Sequence, residues 1–170
     1  YNTWNRNKLG ITLNLSSPEG LSIAKKLVAI SDVVVENFSP SVMSNWGMDY
    51  DGLRQLKPDI IMLSLSTMGH SGPWRNYVGF GPTVHAFSGL TSLIAYPDES
   101  PIGLGTSYAD HAVGLFSCLA LVGALEYRRK TGKGQFIDIS QVEVMCSLLG
   151  STILEHQLRE DLAEMNSHAT

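Results

Sequence analysis

Two short apolar runs limit what this chain can fold into. Asp32-Val33-Val34-Val35-Glu36 and Ile60 to Leu65 are of strand length and built mainly from β-branched and aliphatic residues. Such runs read as strands covered on both faces, the kind found in parallel sheets. Parallel strands need long crossovers, usually helical, and the sequence supplies them. Ser17-Pro18-Glu19 places a cap residue, a proline and an acid in the order of a helix start, and the helix runs to about Ile30. Pro40 opens a helical turn that ends at Gly47, and Asp51 to Lys57 forms a second helix that stops before Pro58. Thr83 to Ile94 reads as helical. His111 to Arg129 is the strongest helix, apolar nearly all round and therefore expected to be central. It closes on Arg128-Arg129-Lys130 ahead of Gly132, a good carboxyl-terminal stop. Phe136 to Ile139 alternates as a strand. Ser140 caps a last helix running to about Leu162, followed by a polar tail, Asn166 to Thr170. Ile11-Thr12-Leu13-Asn14-Leu15 also alternates and reads as a short strand. Strands alternating with helices predict an α/β domain with a mostly parallel sheet. In such sheets ligands bind beyond the carboxyl ends of the strands. That directs attention to three loops: Asn37 to Pro40, Ser66 to Pro73, and Gly103 to Asp110.

Composition removes several alternatives. Twelve Lys and Arg stand against 16 Asp and Glu, a net charge of −4, so no basic excess exists to meet nucleic acid. The longest apolar run, Ala112 to Leu125, has 14 residues, short of the roughly 20 that span a bilayer. Cys118 and Cys146 both lie in apolar runs. They are expected to be reduced, buried small hydrophobes in a cytoplasmic protein. The chain opens on Tyr1-Asn2-Thr3-Trp4 without Met or a signal-like segment and reads as starting inside a domain. No GxxxxGK[ST] loop occurs, and Gly132-Lys133-Gly134 follows a helix instead of opening one. Gly79-Phe80-Gly81 and Gly103-Leu104-Gly105 lack the third glycine of a dinucleotide fingerprint. The five His residues (70, 85, 111, 156 and 168) show no metal spacing, so no metal is expected. Ser66 and Ser71 lack a nucleophile elbow.

Two constellations remain. Tyr108-Ala109-Asp110-His111-Ala112-Val113-Gly114 sets a carboxylate at the mouth of the apolar helix. One reading is a plain N-cap. The other is a nucleophile, because the amino end of a helix favours an anion and a shielded carboxylate can attack. Glu36-Asn37-Phe38-Ser39-Pro40 follows a strand. It reads either as an Asx-type turn with a core Phe or as an amide and a ring facing a polar ligand. Phe80, Phe87, Leu93 and Tyr96 add apolar surroundings, fitting either a hydrophobic acyl group or core packing.

In order and spacing, these segments resemble the family III CoA-transferases and the related α-methylacyl-CoA racemase. The carriers are Asn5-Arg6-Asn7-Lys8, Leu13-Asn14-Leu15 with Ser17-Pro18-Glu19-Gly20, and Asp32 to Pro40. Leu56-Lys57-Pro58, Gly69-His70-Ser71-Gly72-Pro73, Ala109-Asp110 and Tyr127 to Gln135 follow. The likeness runs from Asn5 to about Leu158. It implies a Rossmann-like large domain, matched only in part over residues 1–163 with 164–170 as a tail. It also implies a smaller second domain beyond the matched part, and two chains threaded as interlocked rings, hence a homodimer.

By position, Asp110 matches the family's nucleophile. The resemblance implies that it attacks an acyl-CoA thioester to give a mixed anhydride and CoA thiolate. The thiolate returns to form an aspartyl-CoA thioester, and an acceptor carboxylic acid leaves as the new acyl-CoA. Coenzyme A is thus the implied substrate carrier. Asn37 and Phe38 match positions lining the CoA site, and Leu13, Asn45 and Trp46 match others around the nucleotide. Three departures stand out. Asn45 replaces a common basic residue, Ser16 replaces a Lys of formyl-CoA transferase, and Phe80-Gly81 replaces that enzyme's Tyr-Glu pair. The racemase branch carries Gly-His-Asp where this chain has Gly79-Phe80-Gly81, and Phe cannot move a proton. Transferase chemistry is therefore ranked above racemase or isomerase chemistry. A truncated, non-catalytic fragment that binds CoA or dimerises is the third reading.

Overall fold

The structure is a computed structural model that describes residues 3–94 and 99–167. Helix α1 (Pro18–Ile30) begins as its sequence demands. The Ser17 hydroxyl accepts the Gly20 N–H, and Pro18 sits in the first turn. Strand β1 (Val33–Glu36) leads through the short α2 (Val42–Asn45) and α3 (Tyr50–Leu56) to β2 (Ile61–Ser66). From β2 the chain passes α4 (Gly81–Phe87), a 3-10 turn at Leu90–Leu93, and the long α5 (Tyr108–Thr131). Strand β3 (Phe136–Ser140), α6 (Gln141–Leu148) and α7 (Gly150–Ser167) complete the order. The three strands form one parallel sheet in the order β1-β2-β3, the α/β architecture with flanking helices expected from the sequence.

Strand β2 lies in the middle, and the first four of its residues are buried. One core joins Ala24 and Val28 of α1 and Leu53 of α3 to Met43, Met48, Ile60 and Met62. A second joins Val84 of α4, Ala109 and Ala112 of α5, and Met145 of α6. Gly134, at the entry to β3, allows a close approach, since any Cβ there would collide with the Ile60 carbonyl.

Several local expectations are corrected. Ile11 to Leu15 is not a strand. Its alternation arises because Leu13 and Leu15 lie along the first core while their neighbours face water. Strand β1 is not covered on both faces: it is an edge of the described sheet, and Val35 is 54% exposed. The helix expected over 83–94 breaks at Gly89, whose φ of 84° suits glycine. The helix expected from Ser140 to Leu162 divides at Leu149 into α6 and α7, and α7 runs on to Ser167. Cys118 is exposed and Cys146 half-buried.

Helix α5 differs most from its sequence expectation. It is not buried all round. Ala109, Ala112, Val113, Ser117 and Ala124 face inward. Leu115 and Leu119 are each 74% exposed. Small residues let the helix lie close to the sheet, and the large apolar ones face away from it. By length and composition alone, α5 could cross a membrane. Here it packs instead on β2, β3, α4 and α6.

At its carboxyl end α5 is clamped to the sheet. Arg128 Nη1 donates to the Asp32 carbonyl at 3.0 Å, and Nη2 donates to Asp32 Oδ1 at 2.8 Å. Nη1 also lies 3.8 Å from Asp59 Oδ2. Asp32 leads into β1 and Asp59 into β2, so one guanidinium ties two strands to α5. Lys57 donates to Asp59 Oδ1 at 2.8 Å and, with help from Arg128, holds the Asp59 carboxyl below its ordinary value of 3.8. Replacing Arg128 with Met should lower the melting temperature by about 3–6 °C, measured by differential scanning calorimetry. Because the folded Asp59 value is depressed, its contribution is complete above 3.8 and is lost as pH falls through the lower folded value. The stability lost in Lys57→Met, which removes the main cause of that depression, should therefore shrink in acid, and a deficit independent of pH would contradict this assignment.

Candidate active site

The carboxyl ends of β1 and β2 open onto a cleft of about 430 Å³, within the range of small-molecule sites. Asn37, Phe38, Ser39 and Pro40 form the wall that follows β1. Ser66 and Thr67 come from the end of β2, and Asn76 to Gly81 form the opposite wall. Asp110 and Gln141 close the floor. Among these lining residues Asp110 carries the only charge.

Asp110 is not an N-cap. Ser107 holds that position without a side-chain bond, and Asp110 is the third residue of α5. There its carboxylate faces the positive end of a 24-residue helix. Gln141 Nε2 donates to Asp110 Oδ1 at 3.4 Å. Gln141 is itself buried, as the first residue of α6 directly after β3. Asp110 Oδ2 faces Gly81, where any Cβ would come within 3.2 Å of it. The glycine thus keeps room beside the carboxylate.

A second, shallower groove of about 940 Å³ lies on the other side of Asp110, lined by Trp4, Lys8 and the outer face of α5 down to Cys118. Asp110 is the one residue that cleft and groove share. A carboxylate at such a junction can meet two molecules arriving from different sides.

The other residues expected at the site separate into two groups. Asn37 and Phe38 share the cleft with Asp110. Phe38 is 46% exposed, which overturns the core-Phe reading of its turn. Its turn is held by Glu36 Oε2, which accepts the Phe38 N–H at 2.7 Å, so it is not an Asx turn built on Asn37. Trp46 meets Phe38 edge to face, with ring centroids 5.7 Å apart. It also packs, like Leu13, on the first core. Asn45 is exposed at the end of α2. Leu13, Asn45 and Trp46 do not line the cleft. Phe80 lines it and is 78% exposed. Phe87 stacks on Tyr77, a cleft residue. Leu93 is half-exposed, and Tyr96 lies outside the described residues.

A profile described as CoA-transferase family III matches residues 1–169. The chain belongs to that family. Succinyl-CoA–D-citramalate CoA-transferase from Chloroflexus aurantiacus is 37% identical over 94% of this chain and 40% of its own length. Succinyl-CoA:glutarate CoA-transferase from Mus musculus is 38% identical over 88% of this chain and 33% of its own. The crystal structure of a CaiB/BaiF family protein from Brucella suis superposes with a TM-score of 0.87 at 34% identity, covering 91% of this chain and 41% of that one. The chain thus spans well under half the length of these relatives.

Two further residues of this family III chain position the site, Gln141 and His85. Gln141 gives no signal beyond following a strand. His85 is buried, and its Nε2 accepts the Ala109 N–H at 3.0 Å. It thereby satisfies one of the orphan amides in the first turn of α5. A ring nitrogen engaged this way anchors the helix that carries Asp110. Replacing His85 with Leu should destabilise the fold by about 1–3 kcal/mol, the cost of an unsatisfied buried amide. Gln at this position, able to accept the same bond, should recover part of the loss in thermal unfolding. Equal stability of the Leu variant and the wild type would refute the anchoring role.

Proposed function

We propose that this protein is a CoA-transferase in which Asp110 is the nucleophile, moving CoA from an acyl-CoA donor to a carboxylic acid acceptor. The observation that carries the reading is the position of Asp110, in the first turn of α5 at the junction of cleft and groove. In the proposed cycle an Asp110 carboxylate oxygen attacks the thioester carbon. The C–S bond breaks, leaving an aspartyl mixed anhydride and CoA thiolate. The thiolate then attacks the Asp110 carbonyl, expels the donor acid as its carboxylate, and leaves an aspartyl-CoA thioester. The acceptor carboxylate attacks that thioester to give a second anhydride and free thiolate. Thiolate attack on the acceptor carbonyl releases the new acyl-CoA and regenerates the Asp110 carboxylate. Thioester is exchanged for thioester, so no external energy source is consumed, and the covalent relay splits one hard step into easier ones. Each tetrahedral oxyanion needs preorganised donors. The Gln141 amide, 3.4 Å from Asp110 Oδ1, is placed to orient the carboxylate for attack.

The relatives named as succinyl-CoA transferases support a transferase reading. Buried His85 has its Nε2 engaged by the Ala109 amide and lies outside the cleft lining, so it is not placed to exchange an α-proton there. The apolar wall of Tyr77, Val78 and Phe80 favours an acyl group with an apolar portion. The reading includes a homodimer, because the outer face of α5 exposes the kind of apolar surface that a second copy covers.

Replacing Asp110 with Asn should lower transfer by at least about 10³-fold while leaving the melting temperature nearly unchanged, since the side chain is exposed. Native mass spectrometry with a panel of acyl-CoAs should show a CoA-sized adduct that maps to Asp110 and is absent from the variant. An unaffected transfer rate in the variant would overturn the mechanism. Uptake of deuterium at the acyl α-carbon would instead favour racemase chemistry.

A further inference from the structure

Glu36 is the one acidic residue among the described residues that is buried. Its side chain is 3% exposed, and the cleft does not reach it. Burying a carboxylate is costly unless its oxygens are bonded, and both of these are. Oε2 accepts the Phe38 backbone N–H at 2.7 Å. Oε1 accepts the hydroxyl of Ser64, the residue facing Glu36 across the β1–β2 pair. The Ser64 proton is committed to Glu36, so its oxygen is free only to accept. His70 Nε2 lies 2.5 Å from that oxygen and 3.8 Å from Glu36 Oε1. With the Ser64 proton directed at Glu36, Nε2 is assigned as the donor to the Ser64 oxygen. His70 is itself held in place. Its backbone N–H donates to Asp138 Oδ2 of β3 at 2.9 Å, and its ring meets Phe136 edge to face with centroids 5.6 Å apart. Ser64 is fully buried, so these three side chains are not a nucleophilic triad.

We infer that His70, Ser64 and Glu36 form a positioning relay that fixes the Asn37-Phe38 wall of the cleft and so tunes its affinity for CoA. The relay starts on the Gly69-to-Pro73 loop, crosses β2 through Ser64, and ends at the amide of a cleft residue. None of the three side chains lines the cleft; they act through Phe38. A carboxylate accepting a backbone N–H is among the stronger hydrogen bonds available, and one loop is thereby coupled to the far wall. The link to CoA rests on the proposed function, whereas the relay itself does not.

The experiment follows two readouts in His70→Leu, Ser64→Ala and His70→Gln. Hydrogen exchange of the Phe38 amide, followed by heteronuclear NMR, reports the relay without any ligand. Titration calorimetry with CoA reports the cleft. His70→Leu and Ser64→Ala should each speed Phe38 exchange and weaken CoA binding by about tenfold. His70→Gln, whose amide can donate to Ser64, should restore both to within about twofold of wild type. Imidazole nitrogen shifts in the wild type should show hydrogen on Nε2. Phe38 exchange unchanged in both disrupting variants would overturn the relay, as would a bare, unprotonated Nε2. Faster exchange with unchanged CoA affinity would overturn its role in tuning the cleft. If wild type fails to bind CoA while the exchange pattern holds, the relay stands and the CoA reading falls.

Discussion

The place of Asp110 depends on where α5 is held along its own axis. Two contacts fix it, one at each end. Arg128 ties the carboxyl end to Asp32 and Asp59 at the entries of β1 and β2. His85 accepts an amide from the first turn at the amino end. Between them the inward residues are small, so the helix axis lies near the sheet. Asp110 and Arg128 are 18 residues apart, about 27 Å along a helix. The clamp at the entry side of the sheet therefore sets the height of the carboxylate on the opposite side, beyond the strand ends. A parallel sheet gathers its carboxyl ends on one edge, and α5 delivers Asp110 to that edge.

The strand ends supply the rest. Glu36 and Ser64 are partners in the β1–β2 register, and Ser66 and Ser140 are partners in the β2–β3 register. Gln141 follows Ser140 directly and reaches Asp110. The residues around the cleft are thus neighbours because the strands are in this register. A slip of one residue would turn Ser64 and Ser66 to the other face together.

Much of this was legible from sequence where the signal is local. The Ser17-Pro18-Glu19 start of α1, the Ser140 cap of α6 and the two apolar strands each follow from a few adjacent residues. The failures share a cause: burial depends on what lies across the fold. Leu13 and Leu15 alternate as a strand would, yet they serve as inward contacts of an irregular segment. The apolar outer face of α5 cannot be told by composition from a core face. At the site, Asp110, Asn37 and Phe38 sit in motifs that a family resemblance can carry over. Gln141, His85 and His70 act through partners between 6 and 68 positions away, and no spacing in the sequence announces such pairs.

Among the described residues that line the cleft Asp110 is the one charge, and the proposed chemistry erases it. While Asp110 is a free carboxylate, an incoming acceptor anion meets a like charge with no cation among the lining residues to offset it. At about 4 Å that repulsion amounts to roughly 1–4 kcal/mol, depending on how much water remains. Once Asp110 carries CoA as a thioester it is neutral, and the repulsion is gone. In the proposed cycle the loaded, neutral Asp110 therefore repels an incoming carboxylate less than the free carboxylate does, a difference that needs no moving part.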